Sequence, residues 1–400
     1  MLVRIVQRIS EASKRIKPSV EIWENQLNIH HHSPLEALRY VDAAYMEYGE
    51  PFGLLFHTSW MKSKPVIVGK LENLPPEQMR LCMALGARGY TYIKSFHTTA
   101  LPPVTEADAL AFRQRMGWTS GGARQNARSR EEIRNLLGKF YRMVEHIQPY
   151  LEGACPVYHA AGIVYCEATR YRFKGFDRAP YSKKVLQPLA DAYLARSVPL
   201  EFLDGSQLTK GDLHRYKCLV LPETSGLTPG EVAGLKEYVR RGGQLLLSGG
   251  ALCYDDKGLP LQDFALAKEM GVSLLSRPLP KRHEQEYGNG KIVYLASPYD
   301  TGDLVKELDT MVPECPLTTG GAGPVTNQAI LTWQKSRKRW ILHLISDGDY
   351  TADIRKDFAS AARIAGKYPA DGWEAALELT ETGVRVKVRG NAKDRLLVLE

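Results

Sequence analysis

Hydrophobic and polar positions divide the chain into three stretches of different period. In the first, apolar residues at helical spacing run over 4–16 and, past the breaker Lys17-Pro18, give way to the strand pattern VEIWENQL at 20–27. SPLEALRYVDAAYMEYG (33–49) predicts a second helix, with Ser33 as N-cap, Pro34 in the first turn and Gly49 as stop. The apolar run PFGLLFHTSW (51–60) reads as a strand, PPEQMRLCMALGARG (75–89) as a helix and YTYIKSF (90–96) as a third strand. A helix over 129–151, capped by Ser129 with Glu132 at the capping-box position, ends the stretch. Strands alternating with helices predict parallel βαβ units, and three units are too few to close an eight-stranded barrel.

A new alternation starts with the strand at 159–171 and the helix at 182–198, followed by the strand PLEFLD and the segment LVLPETSGLTPGEVAGLKEYVRRGGQLLLSGG at 219–250. GKIVYLAS (290–297) reads as the last strand, and the order predicts a flavodoxin-like or Rossmann-like doubly wound sheet. Inside the 219–250 segment Thr228 caps a helix, Pro229 presets its first turn and Glu231 completes a capping box. Val232, Leu235 and Val239 form its docking stripe, which leaves Lys236, Tyr238, Arg240 and Arg241 for the outer side. From about 326 the period changes to alternating strands, NQAILTWQKS, KRWILHLIS, GWEAALELTETGVRVKVRG and DRLLVLE, with KSRK and TETG as turns. That pattern predicts a small antiparallel β-domain.

Composition narrows the setting. The 400 residues suggest two or three domains, and 44% hydrophobic with 24% charged residues is a globular balance. The net charge of +8 comes from basic residues scattered along the chain, without the dense run of a nucleic-acid tail, so a nucleic-acid partner is not expected. The amino-terminal segment is broken by charges and reads as neither signal peptide nor membrane span, so no membrane partner is expected. The six cysteines, Cys82, Cys155, Cys166, Cys218, Cys253 and Cys315, show no CxxC pair, which fits a reducing, cytoplasmic location.

Several chemistries can be weighed by spacing. LSGGALCYDD places Ser248 and Cys253 outside the Gly-x-Ser/Cys-x-Gly frame of a nucleophile elbow, and no phosphate-binding glycine motif is present. The run His30-His31-His32 invites a metal, but consecutive residues of a strand point to alternate faces and cannot converge on one ion, so no metal is expected. His283-Glu284 leaves open an amidotransferase triad with Cys253 as nucleophile, against the alternative of a solvated charged loop. Cys253 and His283 should then lie within hydrogen-bond reach.

CLVLPETSGLTPGEVAGLKEYVRRGGQLLLSGG followed by YDDKGLPLQDFALAKEMGVSLL resembles the β-galactosidase trimerisation domain, a glutamine-amidotransferase-like fold without amidotransferase chemistry. It is found behind the barrel in family-42 β-galactosidases and in related glycoside-hydrolase-like proteins. KRHEQEYGNGKIVYLASPY is similar to the strand that closes that domain, and ILTWQKSRKRWILHLIS to the opening hairpin of the C-terminal β-domain. IKPSVEIWENQ, EPFGLLFHTSW and LCMALGARGYTYIKSF are similar to later barrel strands. The resemblance implies an α/β architecture: a partial (β/α) barrel over 1–152, an amidotransferase-like doubly wound domain over 153–322 and a C-terminal β-sandwich over 323–400. It also implies action on O-glycosidic bonds by a carboxylate pair at barrel strand ends, with no cofactor. The earlier strands, expected to carry at least one carboxylate, are missing from this chain. Glu24 is then the candidate acid or base, and Asn25, His57, Trp60 and His97 are candidates for lining a sugar site; Trp60 is equally placed to pack against the second domain. The expected partners are a carbohydrate, a complementing half-barrel chain and further copies joined through the middle domain. The alternatives are a non-catalytic carbohydrate-binding or assembly subunit, and the amidotransferase-like enzyme using Cys253.

Overall fold

The computed structural model describes residues 2–26, 35–46, 51–61, 64–69, 76–87, 90–91, 138, 142, 145–156, 161–166, 168–169, 181–198, 200–210, 212–273, 281–312, 317–320, 329–361, 363–390, 392 and 395–400. Its first layer is a parallel sheet of four short strands, β1 (Trp23–Gln26), β2 (Ala43–Met46), β3 (Val66–Gly69) and β4 (Tyr90–Thr91), in that order. Helix α1 (Leu2–Ile16) precedes β1, α2 (Pro51–Met61) follows β2 and α3 (Pro76–Ala84) follows β3. Two expectations are corrected here. The predicted helix 33–49 is a 3₁₀ turn, Leu35–Tyr40, followed by strand β2, and the predicted strand 51–60 is helix α2. The reason is burial: Phe52, Leu54, Leu55, Phe56, His57, Ser59 and Met61 are all buried, so α2 has no polar face to give it a helical period.

Strand β5 (Ala154–Pro156) leads into a six-stranded sheet of β6 (Ala161–Tyr165), β7 (Glu201–Asp204), β8 (Cys218–Pro222), β9 (Gln244–Ser248), β10 (Arg282–Tyr287) and β11 (Gly290–Leu295). Their spatial order is β10-β11-β9-β8-β6-β7. Every pairing is parallel except β10 on β11, so the charged segment at 282–287 is an antiparallel edge strand and not a loop. One face of this sheet, with Ile163, Val220, Leu246 and Val293, enters the core that also holds the first sheet; α4 (Gln187–Leu194) packs there too. The opposite face, with Val164, Leu219, Leu221, Leu245 and Leu247, is covered by α5 (Pro229–Arg240). The predicted capping box is present: the Glu231 amide donates to Thr228 Oγ1 at 3.3 Å and the Thr228 amide to Glu231 Oε2 at 2.8 Å. Helix α6 (Thr301–Met311) follows β11.

The carboxyl-terminal region is two antiparallel sheets. One has the order β12-β15-β18-β17 and the other β16-β19-β14-β13-β5, where β12 is Leu317–Gly320, β13 Ala329–Gln334, β14 Arg339–Leu344, β15 Tyr350–Arg355, β16 Ile364–Tyr368, β17 Trp373–Leu379, β18 Gly383–Gly390 and β19 Arg395–Leu399. Both predicted hairpins form, β13 with β14 around Lys335–Arg337 and β17 with β18 around Thr380. β5 and β12, inside the stretch grouped with the middle region by sequence, are built into these sheets.

Candidate functional site

Catalytic groups in parallel α/β folds sit at the carboxyl ends of strands, and two such ends exist here. The first belongs to the four-stranded sheet. Glu24 and Asn25 lie on β1, in register with Ala44 and Tyr45 of β2. His97 lies outside the described residues, as does the histidine run at 30–32. His57 is not at a strand end: it is fully buried on α2, with Nδ1 2.6 Å from the Gly53 carbonyl oxygen. Trp60, also on α2, packs edge-on against Tyr165 of β6 at 6.2 Å and 88°, so of the two roles open to it the packing supports the interface one. Helix α2 is the splice between the sheets. Phe56 lies 4.8 Å from Phe202 of β7, and Ser59 Oγ accepts the Phe202 amide at 3.0 Å. At its rim Arg39 pairs with Asp204.

Strand β2 starts directly after Asp42. Reading 33–49 as one helix hid this position. The signal was Asp42 ahead of AAYM: its carboxylate accepts the Ile22 amide at 2.9 Å and pairs with Lys14 at 2.6 Å, which ties the start of β2 to β1 and α1.

The second end lies above the six-stranded sheet, where the chain reverses direction between β6 and β8, the usual crevice for a ligand. Its polar groups are engaged with one another. Thr224 Oγ1 donates to the Val164 carbonyl at 2.7 Å, Thr169 Oγ1 donates to the Ser225 carbonyl at 2.7 Å and accepts the Ser225 amide at 2.8 Å, and Ser225 Oγ accepts the Tyr254 amide at 2.7 Å. Beside them Glu223 holds a left-handed backbone, φ +58°. Its carboxylate accepts the Gly250 amide at 2.7 Å and the Tyr299 hydroxyl at 3.0 Å. Burial, followed by the Glu223 charge, raises the Tyr299 pKa and keeps the phenol a donor. Gly249 lies directly beneath: a Cβ there would meet Glu223 Oε1 at 1.6 Å. A side chain at position 249 would collide with this carboxylate.

The amidotransferase geometry does not assemble. Cys253 Sγ donates to the Ala251 carbonyl at 3.5 Å, and His283 Nε2 bonds the Met270 carbonyl at 2.9 Å. His283 and Glu284 are consecutive on β10 and so face opposite sides of the sheet, with Glu284 engaged by Arg282 and by Lys291 at 3.0 Å. Tyr238, expected on the outer side of α5, is 2% exposed and donates to the Tyr216 carbonyl at 3.1 Å. Arg240 and Arg241 do remain outside, both paired with Glu237. Among the described residues no cluster of His, Cys, Asp and Glu could hold a metal, and no helix is long and apolar enough to cross a membrane.

No protein-family model and no curated protein matches the chain. Solved structures do. The β-galactosidase from Bacillus circulans sp. alkalophilus aligns with 100% of this chain and 66% of its own length at TM-score 0.68 and 12% identity. This is the fold of family-42 β-galactosidases and related glycoside hydrolases. A catalytic mutant of Gan42B, a GH42 β-galactosidase from G. stearothermophilus, aligns with 97% of this chain and 65% of its own at TM-score 0.57 and 13% identity. α-L-Fucosidase isoenzyme 2 from Paenibacillus thiaminolyticus gives 100%, 71%, 0.59 and 14%. The chain therefore spans just under two thirds of the β-galactosidases whose fold it shares.

Proposed function

We propose that this is a carbohydrate-active chain of the glycoside-hydrolase type, built as part of a (β/α) barrel over about 1–152, a doubly wound domain over about 153–322 and a β-sandwich to 400, and inactive by itself. The observation that carries this reading is the full-length match of its fold to β-galactosidases, combined with a first sheet of only four parallel strands among the described residues. We assign the middle domain a structural role, because polar groups at its strand ends bond one another and Glu223 occupies the space a side chain at position 249 would need. Chemistry is left to the first sheet. Glu24 on β1 is our candidate acid or base for two-carboxylate glycoside hydrolysis. Asn25, the next residue of the strand, is our candidate for binding a sugar hydroxyl. Soluble, cytoplasmic action on a glycoside or oligosaccharide follows from the same reading.

The isolated chain is expected to leave nitrophenyl β-galactoside and α-fucoside intact and to bind a glycan on an array. A rate that vanishes in Glu24→Gln would overturn the incomplete-enzyme reading. An array with no bound glycan would remove the carbohydrate reading itself.

A further inference from the structure

The turn between β13 and β14 carries charge that nothing beside it neutralises. Lys335, Ser336, Arg337 and Lys338 are all exposed, and among the described residues none of the three cations makes an ion pair. Neighbouring carboxylates are engaged elsewhere: Glu400 pairs with Arg363 at 2.8 Å and Asp357 with Arg355 at 2.9 Å. Glu152 gives its backbone carbonyl to Gln334 Nε2 at 2.6 Å, and its carboxylate forms no ion pair with the turn. Lys338 also holds a left-handed φ of +49°. Glycine or asparagine adopts that backbone at lower cost, so a charged side chain stands where the local conformation disfavours one.

On the second rung from the turn, Trp333 of β13 stands directly opposite Trp340 of β14, with ring centroids 4.6 Å apart and planes at 49°. Both are half-buried. Trp340 is accounted for by packing: its Nε1 donates to the Phe358 carbonyl at 3.0 Å and its ring lies against the core shared by the two carboxyl-terminal sheets. Trp333 is not, since its indole N–H makes no hydrogen bond among the described residues. No exposed large aliphatic side chain lies on this hairpin, which removes a lipid surface as the occupant. Anionic groups would pair with Lys335, Arg337 and Lys338. The apolar face of a sugar ring suits an indole, and a sugar hydroxyl would take its N–H.

We propose that the β13–β14 hairpin is a binding site for an acidic polysaccharide, bearing sulfate or carboxylate groups. The inference rests on the carbohydrate reading above and adds to it a ligand class and a place on the fold apart from the first sheet. Single-stranded nucleic acid combines anionic groups with flat faces as well, and it forms a separate arm of the test.

The full 400-residue chain is titrated with dextran sulfate, polygalacturonate, unmodified dextran and oligo(dT), with tryptophan fluorescence and biolayer interferometry as readouts. At least one acidic polysaccharide should bind roughly tenfold or more tighter than dextran and oligo(dT), and should weaken as salt is raised. Dextran sulfate alone points to sulfate groups and polygalacturonate alone to carboxylates. Lys335→Glu with Arg337→Glu, both in the exposed turn, should lose about tenfold or more in affinity while the melting curve matches wild type. Trp333→Ala should lose a similar factor and Trp333→Phe less; the charge pair keeps the test decisive should the alanine variant fold poorly. Three results overturn the proposal: neither acidic polysaccharide binds, binding is untouched by the charge pair, or oligo(dT) binds as tightly. A chain that takes only neutral glycans on the array would overturn this inference and leave the carbohydrate reading standing, whereas an array empty of every glycan removes both.

Discussion

Substituting Gly243 should test how α5 is fastened to its sheet. A Cβ built at Gly243 comes within 2.3–2.5 Å of three ring carbons of Tyr238. The ring has no room to withdraw: it is 2% exposed, its hydroxyl is held by the Tyr216 carbonyl, and the His214 ring lies 6.1 Å away. Gly243→Ala alone should therefore behave as overpacking and cost about 1–3 kcal/mol. Tyr238→Ala removes a buried aromatic and should cost about 3–5 kcal/mol. In the double variant the new methyl enters space the ring has left, so the pair should cost no more than Tyr238→Ala alone, a coupling of about −1 to −3 kcal/mol. Tyr238→Phe keeps the ring, should lose only ~0.5–1.5 kcal/mol with the hydrogen bond, and should keep Gly243→Ala costly. Guanidinium denaturation followed by far-UV circular dichroism measures the wild type and each variant, with Gly243→Ala also made in the Tyr238→Phe chain. A neutral Gly243→Ala, or the same cost with and without the tyrosine ring, would refute the packing argument. Tyr238→Phe should also sediment as the wild type does, because a buried ring cannot be an assembly contact.

Gly249→Ala combines a left-handed φ of +57° with a clash against Glu223 and should destabilise by ~2 kcal/mol or more, part of which Glu223→Gly in the same chain recovers; equal stability of single and double variants would count against the contact. Glu307 is held below the ordinary carboxylate range chiefly by Arg282, which donates to both its oxygens at 2.8 and 2.7 Å. A depressed folded-state pKa adds stability above the unfolded value and loses it as pH falls through the folded one. Glu307→Gln should thus melt below wild type at neutral pH, with the gap closing below about pH 4; a constant gap down to strong acid would sink this assignment.

What could be read from the sequence tracks how much of each element faces water. The capping box at Thr228 and Glu231 and the hairpins at Lys335–Arg337 and Thr380 are local devices, and each formed where spacing placed it. Helix α2 was misread because it is buried against Phe202 and Tyr165, which leaves no polar face to reveal its period. The four-residue β2 was lost inside a plausible helix. By spacing alone β10 could still be a charged loop, because charges occupy both of its faces at an open edge, although its segment is similar to a domain-closing strand. Tyr238 went to the wrong side of α5 because a helical wheel does not show the vacancy above Gly243, although two glycines immediately after a helix are a visible hint of close approach. Nothing local announced the backbone of Glu223, which depends on Gly249, Gly250 and Tyr299 arriving from distant strands.

The cluster that joins Phe56 of the first sheet's helix, Val220 of the six-stranded sheet and Ile341 of the carboxyl-terminal sheet is one continuous core. Arg80 on α3 adds to it by donating to the Ile345 carbonyl at 2.9 Å. Many multidomain enzymes close over a ligand by swinging rigid bodies about a hinge, and a hinge requires a seam that can part without exposing apolar surface. Among the described residues there is no such seam across α2. A mutation that loosens α2 should therefore register first as a lower cooperativity of unfolding across the sheets it joins.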